Sequence, residues 1–222
     1  MTGLACMYKF FLKIPVVGSI VYITNTYALR GDPVALEKLA NPVQWIKVFF
    51  FPWMWAALLT GITAPSLAVH VLNLSKLLSF PATVLELKAG EFITTVFPNL
   101  LGFGIGVYAL IFAISDKFLS RFEDHVTRKK HDGSRKFGSA LVFNVDLAYP
   151  LLVIVMTLIV GVLQQAYPTT PAFCLFAWFS FWYAIITMIE IVAVLFGLGE
   201  HTLLEKIDSP DSPKKGPPPD AT

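Results

Sequence analysis

The sequence predicts an all-α integral membrane protein: a bundle of four transmembrane helices with a short N-terminal interfacial helix and a cytoplasmic amphipathic extension. Of its 222 residues, 55% are hydrophobic and 14% are charged, whereas a soluble domain carries about 25% charged residues. The charges also avoid three long intervals, residues 48–75, 92–115 and 147–189. So few charges cannot cover the surface of a soluble domain, and two cysteines are too few for a disulfide-stapled scaffold.

The N-terminal segment, residues 1–44, contains one short apolar run, Ile14–Thr24, which follows Lys13. A helix needs about 20 apolar residues to cross the hydrocarbon core of a bilayer, and this run is much shorter. It therefore predicts an interfacial or re-entrant helix. A fifth crossing that includes the residues before Lys13 is the alternative.

The membrane domain is predicted to occupy residues 45–206. The charge-free interval 147–189 is too long for one helix and long enough for two. Pro168-Thr169-Thr170-Pro171 lies inside it, and proline disfavours the continuation of a helix, so a helical hairpin should turn there. The four spans are predicted near residues 48–72, 95–115, 143–165 and 172–198.

The two remaining segments are the loop 116–140 and the tail 207–222. In the loop, Phe118, Leu119, Phe122 and Val126 recur at helical spacing, which predicts that the second span continues as an amphipathic helix. The tail is rich in proline and charge and has almost nothing to bury, so it is predicted to be disordered.

The basic residues predict the orientation. With four spans, 15 of the 17 lysines and arginines fall on the side that carries both termini and the loop 116–140. Positive charges stay on the cytoplasmic side, so both termini are predicted to be cytoplasmic. The basic loop is expected to contact anionic lipid head groups. Nucleic acid is not expected as a partner, because Glu123, Asp124 and Asp132 dilute the positive charge.

Glu190 is the most unusual residue, because it is a carboxylate about 12 Å inside the last span at 1.5 Å per residue. Such a group costs several kcal/mol unless it is paired, hydrated or protonated. Ser180, Tyr183 and Thr187 share its face at spacings of three and four residues. The stripe predicts either the lining of a water-filled path or a hydrogen-bonded contact with a neighbouring helix. Asp146, on the antiparallel third span, is predicted to reach a similar depth and to form a carboxylate pair with Glu190.

A second stripe, in the second span, contains Asn99, Gly102, Gly106 and Ala109. Small residues at this spacing let two helices approach closely, and Gly102 and Gly106 form a GxxxG motif. Gly61 belongs to a similar stripe in the first span. These residues predict helix packing and a homo-oligomer, with Asn99 as a further candidate for lining a pore.

Motifs of metal, nucleotide or hydrolytic sites are lacking. The chain has no HExxH, GxSxG, CxxC or P-loop pattern, so the sequence predicts no catalytic residue, no metal and no cofactor. His125 and His131 each stand next to an aspartate, but their spacing matches no standard metal site.

The segment from Phe97 to Asp116, which begins Phe97-Pro98-Asn99-Leu100-Leu101-Gly102-Phe103-Gly104-Ile105-Gly106, resembles a segment of uncharacterised small bacterial inner-membrane proteins. The resemblance covers about 20 residues. It implies a location in the bacterial inner membrane and implies no activity or site residue.

Together these features favour a non-enzymatic, multi-pass membrane protein that forms a homo-oligomeric pore or a signalling or scaffold unit. Two alternatives stay open. One is an effector or sensor of a bacterial stress or phage-defence system. The other is a membrane-embedded enzyme that modifies lipids through Glu190, Asp146 or His125.

Overall fold

The computed structural model of the chain describes residues 3–73, 80–81, 83–110 and 141–208. Over these residues the protein is helical, and no strand occurs among them. The helices are α1 (Gly3–Phe11), α2 (Val17–Ala28), α3 (Pro42–Thr63), α4 (Pro65–Val71), α5 (Ala89–Leu110), α6 (Leu141–Ala166) and α7 (Pro171–Asp208). Two short 3₁₀ turns lie at Pro33–Leu36 and Val84–Lys88.

Four helical stretches in this part of the chain are long and apolar enough to cross a membrane, which agrees with the predicted number of spans. They are Pro42–Thr63, Val84–Ala109, Asn144–Ala166 and Pro171–Gly197. The predicted hairpin between the last two is present, because α6 ends at Ala166 and α7 begins at Pro171. The amphipathic extension and most of the predicted tail lie outside the described residues, although α7 reaches Asp208 and so includes the first two tail residues.

The first span begins and ends earlier than its predicted range of 48–72. It begins at Pro42, whose missing N–H and fixed φ suit the first position of a helix, and the Gln44 side chain accepts a hydrogen bond of 2.7 Å from the Asn41 N–H. It ends at Thr63, because the ring of Pro65 disfavours the α conformation of the residue before it. Ala64 accordingly has φ −131° and ψ 62°, and α4 continues after this break.

In the bundle, α7 packs against α3, α5 and α6, and α5 also packs against α6. The α5–α6 pair approaches closely at two glycines. A Cβ atom added to Gly90 would lie 2.5 Å from the carbonyl oxygen of Gly161, and one added to Gly161 would lie 2.5 Å from Cγ2 of Ile93. Gln164 adds hydrogen bonds at this contact, accepting from the Gly90 N–H at 2.8 Å and donating to the Leu87 carbonyl at 3.1 Å.

The substitution Gly90→Ala is expected to destabilise the bundle by about 1–3 kcal/mol, the usual cost of overpacking. The added Cβ would meet Oε1 of Gln164 and the backbone carbonyl of Gly161, and the carbonyl cannot rotate away as a side chain can. Gly102→Ala in the same helix is the control, because nothing lies within 4 Å of the added Cβ. Thermal unfolding of both variants in detergent measures the difference. Equal melting temperatures for the two variants would contradict the close approach of α5 and α6.

Candidate functional site

The candidate site lies at one end of the bundle, where the N-terminal segment contacts the helices through Tyr27. This end contains the start of α3, the start of α6 and the C-terminal part of α7, and it is called the Tyr27 end below. Tyr27 is 2% exposed. Its neighbours come from all three helices, namely Phe49, Tyr149 and Glu190.

Asn25 fixes the conformation of the N-terminal segment around this contact. Its Nδ2 donates to the carbonyl oxygens of Ala35 and Lys38 at 3.1 and 2.9 Å, and its Oδ1 accepts from the Ala40 N–H at 2.8 Å. Tyr8 of α1 also donates to the Ala35 carbonyl, at 2.6 Å. An unpaired buried amide costs about 1–3 kcal/mol, so these bonds hold α1, α2 and the turn at Pro33–Leu36 together as one unit.

The end of α2 directs Tyr27 and Arg30 towards the bundle. The Gly31 N–H donates to the Thr26 carbonyl and the Arg30 N–H donates to the Tyr27 carbonyl, both at 3.0 Å, which is the Schellman arrangement of a helix C-terminus. Arg30 takes the left-handed position with φ 54°, where glycine is preferred. Its guanidinium carbon lies 5.6 Å from the centre of the Tyr27 ring, within the range of a cation–π interaction.

Tyr27 is held by a hydrogen bond and by an aromatic stack. Its hydroxyl donates to Oε2 of Glu190, and its ring stacks on Tyr149 with centres 4.0 Å apart and planes at 13°. The hydroxyls of Tyr149 and Tyr183 lie 2.6 Å apart. Tyr27 therefore connects Glu190 to the hydrogen-bonded pair of Tyr149 and Tyr183.

Burial and the negative charge of Glu190 raise the pKa of Tyr27 above its usual value. The charge of Asp146 also raises the pKa of Tyr27, and the charge of Arg30 lowers it. A tyrosine with its usual pKa of about 10 is already protonated at physiological pH, and the raised pKa keeps it so. Tyr27 is consequently able to donate its proton in the hydrogen bond to Glu190 at any physiological pH.

The predicted stripe on the last span is turned towards protein. Ser180, Tyr183 and Thr187 are buried and Glu190 is half-buried. Thr187 donates to the Ala184 carbonyl at 3.0 Å, and the backbone carbonyl of Ser180 accepts from Thr157 at 3.3 Å. Asp146, the predicted partner of Glu190, is half-buried, and its pairing with Glu190 stays a prediction.

The small-residue stripes lie elsewhere. Asn99, Gly102, Gly106 and Ala109 are exposed, and nothing lies within 4 Å of a Cβ added to either glycine or to Gly61. Within the chain, helix packing instead uses Gly90, Gly104 and Gly161, where an added Cβ would meet a neighbouring helix. Among the described residues, no neighbouring helix packs against Gly102, Gly106 or Gly61, and the packing expected of these residues and Ala109 stays a prediction.

The sequence did not point to Tyr27, Asn25 or Arg30. Tyr27 and Glu190 are 163 residues apart, and no periodic pattern connects positions at that separation. The available signal was the polar pair Asn25-Thr26 at the end of an apolar run.

A second missed residue, Glu86, lies at the opposite end of the bundle. It is 1% exposed, and its carboxylate accepts hydrogen bonds from the Ser66 hydroxyl and the Leu67 N–H.

Among the described residues, no group of three or more His, Cys, Asp and Glu side chains is arranged to hold a metal ion; His125 and His131 lie outside them. A comparison of the chain with protein-family models, curated proteins and solved structures found no match. The main feature of the site is that Tyr27 connects the N-terminal segment to the last span.

Proposed function

We propose that the chain is a non-enzymatic, multi-pass membrane protein that acts as a homo-oligomeric signalling or scaffold unit. In this proposal the Tyr27–Glu190 contact couples the N-terminal segment to the transmembrane helices. The observation that carries it is the position of Tyr27, whose ring and hydroxyl together contact α3, α6 and α7. A displacement of α2 would leave the Glu190 carboxylate without its phenol donor, so a change on either side of the contact affects the other.

The polar stripe of α7 supports a signalling or scaffold unit over a pore lined by Glu190. Ser180, Tyr183 and Thr187 are buried against protein, and the Tyr183 hydroxyl is bonded to that of Tyr149. Side chains that line a water-filled path would face open space instead. A membrane enzyme that uses Glu190 and Asp146 has less support, because Tyr27 occupies the Glu190 carboxylate.

The exposed face of α5 supports the homo-oligomer. Asn99 is polar and exposed in the middle of a span, and an amide facing hydrocarbon has no hydrogen-bond partner there. Gly102 and Gly106 continue the same face with open space beside them, which would allow a helix of a second copy to approach closely. Asn99 would then bond across the interface.

The oligomer is tested by measuring the mass of the complex in detergent and in lipid nanodiscs. We expect wild type to be larger than a monomer, and Gly102→Leu and Gly106→Leu to shift it towards the monomer. Gly197→Leu on α7 is the matched control, since an added side chain there also meets open space. A wild-type monomer at all concentrations would refute the proposed assembly.

A pore is the second candidate, and Asn99 is the observation that favours it, because an oligomer formed through α5 could turn this amide towards its axis. Ion flux into liposomes tests it. A pore of this kind predicts that Asn99→Leu abolishes the flux and that Glu190→Gln leaves it unchanged. Absence of flux from wild-type oligomers would eliminate the pore and leave the scaffold.

The proposal includes the interfacial helix and the predicted orientation. The 12 residues of α2 extend about 18 Å, which is shorter than the hydrocarbon core of about 30 Å. In the described residues, Lys9, Lys13, Arg30 and Lys38 belong to the N-terminal segment at the Tyr27 end. Lys88 lies at the opposite end, so the positive-inside rule supports cytoplasmic termini in an inner membrane. A role in stress sensing or phage defence would be one use of such a unit.

A further inference from the structure

One face of α1 is apolar and exposed. Met7, Phe10 and Phe11 are separated by three and four residues, so they share this face, and Met7 and Phe10 are 54% and 62% exposed. Tyr8 holds a different side of the helix, since its buried hydroxyl bonds to the Ala35 carbonyl. The orientation of α1 is therefore fixed, and the face with Met7, Phe10 and Phe11 points away from the other described residues.

A second exposed apolar group follows the turn at Pro33–Leu36. Leu36 and Leu39 are 59% and 38% exposed, although the backbone that precedes each of them is fixed by Asn25 through the carbonyls of Ala35 and Lys38. The Tyr8 hydroxyl also accepts from Asn25 Nδ2 at 3.0 Å. The same hydrogen-bond network thus holds α1 and this turn, and the side chains of Leu36 and Leu39 take no part in it.

The charged side chains around these apolar groups are mostly basic. Lys9, Lys13 and Lys38 are exposed. Of the two acids in the segment, Glu37 is exposed, whereas Asp32 is half-buried and accepts from the Val34 N–H at 3.0 Å. Exposed aromatic and aliphatic side chains beside lysines are typical of helices that lie in the head-group layer of a membrane. Lysine stems also extend along apolar surface while the ammonium group stays in water.

We propose that this surface, formed by Met7, Phe10, Phe11, Leu36 and Leu39 with Lys9, Lys13 and Lys38, binds the head groups of anionic lipids. It is called the lysine–phenylalanine surface below. Its charge is complementary to anionic head groups, which attract each nearby lysine or arginine. The inference rests on the proposed function only in placing the N-terminal segment at the membrane surface.

The position of the segment favours lipid over a protein partner. It is joined at Pro42 to the first span, and its contacts Phe49 and Tyr149 lie seven and eight residues from the starts of their helices. At 1.5 Å per residue these contacts are about 10–12 Å from the helix ends. Lipid head groups at the Tyr27 end would consequently surround the segment and remain within its reach.

The test is amide hydrogen exchange of the full chain in nanodiscs, compared between phosphatidylcholine and a mixture with about one third phosphatidylglycerol. We expect α1 and the turn at Pro33–Leu36 to exchange more slowly in the anionic discs, by about fivefold for each lysine engaged. A variant with Lys9, Lys13 and Lys38 replaced by glutamine should lose the difference. Lys88→Gln, at the opposite end, should keep it. High salt should shrink it, because exposed charges are screened.

Equal exchange of wild type in the two lipids would overturn the proposal, and so would a difference that survives in the triple variant. Protection that depends on protein concentration and not on lipid charge would assign the surface to a second copy, which also overturns it. The Phe10→Ser variant checks the apolar part and should speed exchange of α1 in both lipids. The mass of the complex in the same discs reports on the proposed oligomer separately.

Discussion

The substitution Tyr27→Ala is expected to weaken docking of the N-terminal segment on the bundle by about 3–5 kcal/mol, the usual cost of removing a buried aromatic side chain. Tyr27 is 2% exposed, and its ring is stacked on Tyr149 and packed against Phe49. The variant opens a cavity among three spans and removes the donor to Glu190. Hydrogen exchange of α2 in nanodiscs measures the effect, because opening of the segment exposes its amides.

Two further variants serve as controls for this measurement. Tyr22→Ala removes a half-buried tyrosine of the same helix and should cost under about 1 kcal/mol, as a substitution away from the core does. Tyr27→Phe keeps the ring and removes the hydroxyl, so it isolates the cost of leaving Glu190 without its donor. If Tyr27→Ala changed exchange no more than Tyr22→Ala, Tyr27 would not be the anchor of the segment.

The substitution Glu86→Ala is expected to destabilise the opposite end of the bundle by about 2–6 kcal/mol, because it leaves the Ser66 hydroxyl and the Leu67 N–H without their acceptor at about 1–3 kcal/mol each. The Thr83 hydroxyl, at 3.4 Å, loses a weaker bond. The carboxylate of Glu86 accepts from the Ser66 hydroxyl and from the Leu67 N–H, the latter at 3.1 Å. Both donors lie in the first turn of α4, where backbone N–H groups lack partners within the helix. Glu86 therefore holds α4 in place. This short helix follows the interruption of the first span at Ala64.

Thermal unfolding in detergent measures this loss. Glu86→Gln, which keeps an amide oxygen as acceptor, should lose less stability than Glu86→Ala. Glu91→Ala is the matched control, because its carboxylate is exposed and its ion pair with Lys88 at 3.2 Å is of the surface kind that contributes under about 1 kcal/mol. Equal melting temperatures for Glu86→Ala and Glu91→Ala would show that Glu86 does not hold α4.

The number of spans could be predicted because a bilayer imposes it on the sequence: charges are excluded from about 20 residues at a time. The boundaries were harder to predict from charge. The charge-free interval predicts that the first span begins near residue 48, yet Lys47 lies inside α3 and is exposed, as a lysine near a helix end can be when its ammonium group reaches water. The break at Pro65 depends on local backbone geometry, which a charge count does not register.

Only the part of the candidate site that lies on α7 could be predicted from the sequence. Helical spacing identified Glu190 and the residues that share its face, because that pattern is local. Its partner Tyr27 lies in another segment of the chain, and nothing in a single sequence pairs the two positions. The close approach of α5 and α6 could not be predicted in this way, because Gly90 and Gly161 belong to different helices and make contact only in the fold.

A double-mutant cycle between Tyr27→Phe and Glu190→Leu tests most directly that the N-terminal segment is coupled to the last span. Each single change removes one partner of the hydrogen bond and leaves the other unsatisfied, whereas the double variant removes both. With docking measured by hydrogen exchange of α2, the interaction free energy should be about 0.5–3 kcal/mol, as for residues in direct contact. Effects that add to within about 0.3 kcal/mol, as they do for independent sites, would contradict the coupling.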